Sequence, residues 1–354
     1  MKKRIQYRIE VKFDRISNLT SCTYDLEYYS CGAYRDKLKI EPNSFELLCA
    51  RSSYNKKDYI LENTQNSIHS NTVRAILSVV LLAKVKPQIK ELTIYEDGTA
   101  LKTLKPEEIH LPIISDEFML HLGSLPSLNF DAFVPYLFST TKKAHQLTVA
   151  LISYMISFRH TGSDKFFRLW RAFNSIYTVL SSKKQEKDKI IDFRHWVLNQ
   201  TNFKYSCNRV SKFKTHDIRK LRIREMILSD FPDAKRTRKE YKAFVERQTS
   251  DARLSQVLLD TLPYRQPFLA TPEVVQIKAM LNASITANKN SDIHLVLFII
   301  LRYAYFFRNK LFHGESLETD VSFYAKADER TRKEIEAINA ILQIFVLEMF
   351  SRTL

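Results

Sequence analysis

The stretch Ile293-His294-Leu295-Val296-Leu297-Phe298-Ile299-Ile300-Leu301-Arg302-Tyr303-Ala304-Tyr305-Phe306-Phe307-Arg308-Asn309-Lys310-Leu311-Phe312-His313-Gly314-Glu315 decides how the carboxyl-terminal half of this chain folds. It is apolar nearly all round, and such a helix must be buried among other helices. Gly314 supplies a stop. At about 100° per residue, Arg302, Asn309 and His313 fall within about 40° of one another, whereas Arg308 sits about 140° from His313. Polar groups in such a helix must be hydrogen-bonded, paired or open to a cleft.

A histidine can move the proton of a ribose hydroxyl, and a guanidinium can hold charge developing on a phosphate, so the group suits phosphodiester cleavage without a metal. The same residues could instead satisfy the terminal carbonyls and dipole of a helix end.

Arg308-Asn309 followed by His313 resembles the Arg-x4-6-His signature of the HEPN superfamily, helical domains that often act as metal-independent endoribonucleases. The resemblance implies that Arg308 and His313 are catalytic, with Asn309 as the polar neighbour. It also implies a homodimer in which two copies of the motif form one composite site, and a role in phage defence or toxin-like growth arrest. Lys165 to Tyr177 resembles the aromatic-rich first helix of bacterial members, and Asn174 stands where several relatives carry Glu. Arg302, on the Asn309 stripe, is expected to support the site, and Asn174 either supports Arg308 or packs nearby. No cofactor or metal is expected.

The rest of the second half also reads helical. His145 to Phe158 and Arg330 to Met349 are amphipathic, and Ser163 is expected to cap the helix that carries Trp170. The first part differs. Tyr7, Ile9, Val11 and Phe13 alternate with polar residues; short strands are expected there, within Thr23–Tyr29 and Lys37–Ile40, and over Ser44–Cys49. A helix over Asn71–Lys84, a strand over Ile89–Tyr95, an Asp97-Gly98 turn and a strand over Thr99–Leu104 follow. The expected fold is α+β: a small mixed α/β module of unassigned role over 1–125, then an all-helical HEPN-like bundle over 126–354.

The formal net charge is +16, and residues 204–253 hold 15 Lys and Arg against 7 Asp and Glu. About half of the excess charge therefore lies in one basic insertion. Arg209, Lys212, Lys214, Arg219, Lys220, Arg222, Arg224, Lys235, Arg236 and Arg238 are its expected RNA contacts, since clustered cations attract phosphates at long range. Phe203, Tyr205, Phe213 and Tyr241 could stack bases or pin the insertion to the core.

Five glycines and no Gly-rich phosphate loop argue against a nucleotide fold of that type. Four cysteines without CxxC spacing indicate neither a zinc module nor a disulfide framework, which fits a reducing cytoplasm. No window approaches a membrane span, so no membrane partner is expected. The expected function is metal-independent RNA cleavage, with a regulatory or sensor partner as a further expectation. The alternatives are a non-catalytic helical RNA-binding or partner-binding protein, and a toxin-like nucleotide-transfer target that needs a separate regulator.

Overall fold

The computed structural model describes residues 4–27, 35–52, 54–63, 65–200, 203–232, 235–312 and 325–352. The chain is α+β, an antiparallel six-stranded sheet followed by helices. It divides into two compact units, one made of Met1–His160, Arg171–Leu180 and Met349–Leu354, the other of Thr161–Trp170 and Ser181–Glu348.

In the first unit, β1 (Ile5–Phe13), β2 (Cys22–Glu27), β3 (Arg35–Glu41), β4 (Ser44–Arg51), β5 (Ile89–Glu96) and β6 (Thr99–Leu104) align in the order β2-β3-β4-β1-β5-β6. Alternation fixes the register: β1 places Tyr7, Ile9, Val11 and Phe13 in the core, and β4 does so with Phe45, Leu47 and Cys49. β5 and β6 join through Asp97-Gly98, at φ +43° and +86°, the left-handed conformations that a tight hairpin turn requires.

The helix Ser67–Ala83 begins one turn before the expected Asn71, because the Asn66 side chain accepts from the Ile68 N–H and caps it. An ion pair sits beneath it. Asp36 accepts from both terminal nitrogens of Arg51 at 2.6 Å and from the Asn71 amide at 2.9 Å, and both charged residues are buried. The residues after 125 continue this unit as far as His160, since Phe118 packs on Tyr154 and Phe158, and Tyr24 on Phe138.

In the second unit, the Gly162–Leu180 helix contributes its first turns, and Ser163 lies inside the helix rather than capping it. The motif helix runs through Asp292–Phe298, a π-helical turn at Ile299–Tyr303, and Ala304–Phe312. It is buried as its composition demands: Leu295 to Leu301, Tyr303, Ala304, Phe306 and Phe307 are all in the core, while Ile293, Tyr305 and Leu311 are half-buried. Phe166 meets Phe307 edge to face at 5.3 Å, and Trp170 meets Tyr305 at 6.0 Å. The Ala325–Phe350 helix buries Ile338, Leu342 and Phe345. Among the described residues no helix is long and apolar enough to cross a membrane.

Candidate functional site

Arg308 and Asn309 lie in the last turns of the motif helix, where a side chain can leave the core. Arg308 Nη1 donates to Asn309 Oδ1 at 2.9 Å, so the amide orients the guanidinium. His313 lies outside the described residues. Arg302, expected on the Asn309 stripe, is instead tied by Nη2 to Asp230 at 2.9 Å, with its guanidinium near the rings of Phe231 and Phe244. The π turn accounts for this: it inserts an extra residue into the spiral, so a uniform 100° count across it fails. Asn174 accepts from the Tyr177 hydroxyl at 2.5 Å and belongs to the Arg171–Leu180 segment of the first unit.

A polar network borders the motif. The Arg222 N–H donates to the Tyr303 hydroxyl at 2.7 Å, the Tyr303 O–H donates to Glu334, and Arg222 Nε donates to Glu334 Oε2 at 3.1 Å. Arg222 also lies 5.6 Å above the Phe307 ring, and Glu225 lies 3.6 Å from both Arg222 and Lys310. Burial raises the Glu334 carboxyl above its usual range, and Arg222 opposes that rise. Neither Tyr303 nor Glu334 figured among the expected site residues. The signal was present in Glu334, a carboxylate one helical repeat before Ile338 on the apolar face of the last helix.

The basic insertion is more neutralised than its composition implied. Arg219 is held by Asp260 through Nη2 at 2.6 Å and Nε at 2.8 Å, Lys220 by Asp217 at 2.7 Å, and Arg222 by Glu334. Among the described residues, Arg209, Lys212, Lys214 and Arg224 make no ion pair, and all four are exposed. Arg238 is half-buried, and the side chains of Lys235 and Arg236 lie outside the described residues. Phe203 and Tyr241 are core residues: Phe203 stacks on Phe345 at 5.0 Å, and Tyr241 packs among Phe231, Phe244 and Phe268. They pin the insertion to the unit.

An aromatic open to solvent stands elsewhere. Tyr264 is 59% exposed, and the Arg224 guanidinium sits 4.4 Å above its ring. Both line a cleft of about 590 Å³ together with Arg219, Arg222, Thr331 and Glu334. Cations beside a free aromatic face can take a phosphate and a stacked base. Among the described residues no cluster of His, Cys, Asp or Glu could hold a metal ion. Neither a family model, nor a curated protein, nor a solved structure matches this chain.

Proposed function

We propose that this chain is a metal-independent endoribonuclease of the HEPN type, acting as a homodimer in phage defence or toxin-like growth arrest. The second unit is read as a HEPN-like bundle with Arg308 and His313 as its catalytic pair. The observation that carries the reading is the Arg308 guanidinium, held by Asn309 at the end of a buried helix. A guanidinium fixed in this way pays little reorganisation when it meets a phosphate in the transition state. The ribose 2′-hydroxyl attacks the adjacent phosphate, His313 moves the proton, and Arg308 stabilises the charge on phosphorus oxygens. The 5′-oxygen departs, leaving a 2′,3′-cyclic phosphate and a 5′-hydroxyl.

The purified chain should cut single-stranded RNA or tRNA in EDTA, leave DNA intact, and lose cleavage in Arg308→Ala and His313→Ala with RNA affinity retained. Intact RNA under all these conditions, or cleavage that survives both substitutions, refutes the proposal. A monomer at micromolar concentration with full activity would refute the composite site.

A second reading is a non-catalytic RNA-binding protein, favoured by the exposed Arg224 and Tyr264 stack. It expects Tyr264→Ala to weaken RNA binding in a protein that cuts nothing.

A further inference from the structure

We propose that the second unit carries a pocket for a small nucleoside phosphate, in which Arg194, Arg247 and Arg302 hold the phosphate and the Gln248 amide meets the nucleoside. The pocket, of about 560 Å³, lies between the Glu186–Asn199 helix, the end of Lys235–Glu246 and the π turn. That volume lies within the usual range for small-molecule sites and exceeds what a lone inorganic anion fills.

Cations dominate its lining. Arg194, Arg247, Arg302 and Lys187 line it with one acid, Glu186, while Glu240 lies 3.8 Å from Lys187 outside the lining. Asp230 meets Arg302, and the Arg194 guanidinium donates to the Arg247 carbonyl at 2.8 Å, which holds it in place without neutralising it. Partial burial and then a neighbouring arginine lower the pKa of Arg194 and Arg247, as expected of cations gathered together, and Glu246 opposes the fall at Arg247.

Two buried polar atoms also lack partners among the described residues, Nε of Arg302 and Oε1 of Gln248. Gln248 is only 2% exposed and lines the pocket. An unsatisfied buried acceptor calls for a donor, which a nucleobase amine or a ribose hydroxyl provides and inorganic phosphate at neutral pH supplies poorly. Ile190, Leu301 and Tyr305 form an apolar wall for the nucleoside. The inference does not depend on the ribonuclease reading.

The test is calorimetric titration of the full chain carrying Arg308→Ala, so that any cleavage activity cannot confuse the result. The probes are the four nucleoside monophosphates, the four triphosphates, their nucleosides and inorganic phosphate. At least one nucleotide should bind saturably with one site per chain, its nucleoside far more weakly, and phosphate should compete only at much higher concentration. Arg247→Ala should weaken binding about tenfold to a hundredfold, the usual worth of a charged hydrogen bond, and Arg247→Lys by less. Lys39→Ala, on the sheet of the first unit, should leave the affinity unchanged. Arg247 is exposed, and equal unliganded melting temperatures will show that the variant folds. Absence of saturable nucleotide binding up to millimolar concentration, or affinity indifferent to Arg247→Ala, would each overturn the proposal.

Discussion

Removing either partner of the Arg222 and Glu334 pair should have unequal consequences. The Glu334 side chain is 4% exposed and that of Arg222 is 26% exposed. Breaking a buried pair costs about 3–5 kcal/mol because an uncompensated charge stays behind. In Arg222→Ala that charge is the carboxylate, left without a cation and with only the Tyr303 hydroxyl and the residue-222 backbone beside it, so the cost at pH 8 should be about 3–4 kcal/mol. In Glu334→Ala the guanidinium keeps a path to water and Glu225 at 3.6 Å, while Tyr303 loses its acceptor; a loss of about 2 kcal/mol follows.

The pH dependence supplies the sharper check. The Glu334 carboxyl is raised above its usual value in the folded chain, so the native state holds more protons than the unfolded state between the unfolded and folded pKa. Stability from this group therefore falls as pH rises through that window. Without Arg222 the window should widen upward, and the penalty of Arg222→Ala should shrink as pH falls toward 5. Urea denaturation followed by circular dichroism at pH 5 and pH 8 reads both effects. A penalty for Arg222→Ala smaller than that for Glu334→Ala, or one that grows on acidification, would refute the reasoning.

Asp36→Ala should destabilise the first unit by about 3–5 kcal/mol, whereas Asp36→Leu with Arg51→Met should recover most of the loss, as thermal melting of the single and double variants will show. Glu348 accepts the N–H groups of Tyr205 and Ser206 and the Ser206 hydroxyl, so Glu348→Ala should cost about 3 kcal/mol and raise hydrogen exchange in the Lys204–Ser211 helix. Burial and Arg194 lower the pKa of His294, so the unfolded state takes up its proton first. Stability is lost as pH falls below about 6.5 toward the depressed value, and His294→Gln should flatten that part of a denaturation profile.

Much of the sheet was legible because alternation in one strand says which side is buried. Tyr7, Ile9, Val11 and Phe13 announced β1, and Asp97-Gly98 announced the β5 to β6 turn. Strand order was not legible, since the pairing of β1 with both β4 and β5 joins residues far apart in sequence. The burial of the motif helix was legible from its unbroken apolar run. The partners of its polar groups were not: Arg302 bonds Asp230 and Tyr303 bonds Glu334, across separations that no local periodicity encodes. The basic insertion shows the same limit. Composition counts cations, but the carboxylates that neutralise Arg219 and Arg222 come from Asp260 and Glu334, outside the insertion.

The π turn links these differences. In an uninterrupted helix Arg302 would stand within about 20° of Asn309, and both would address one site. An extra residue in the spiral breaks that register. Arg302 then faces Asp230 and the arginine-lined pocket, while the Arg308 and Asn309 pair keeps its own direction. Tyr303, at the end of the same turn, anchors the helix to Arg222 and Glu334. A π turn gives up regular hydrogen bonding, and its persistence inside a tightly packed helix requires compensation from its surroundings. The Tyr303 network and the Arg302 ion pair provide that compensation at adjacent residues. One buried helix thereby turns Arg302 and Arg308 to different partners without bringing their charges together.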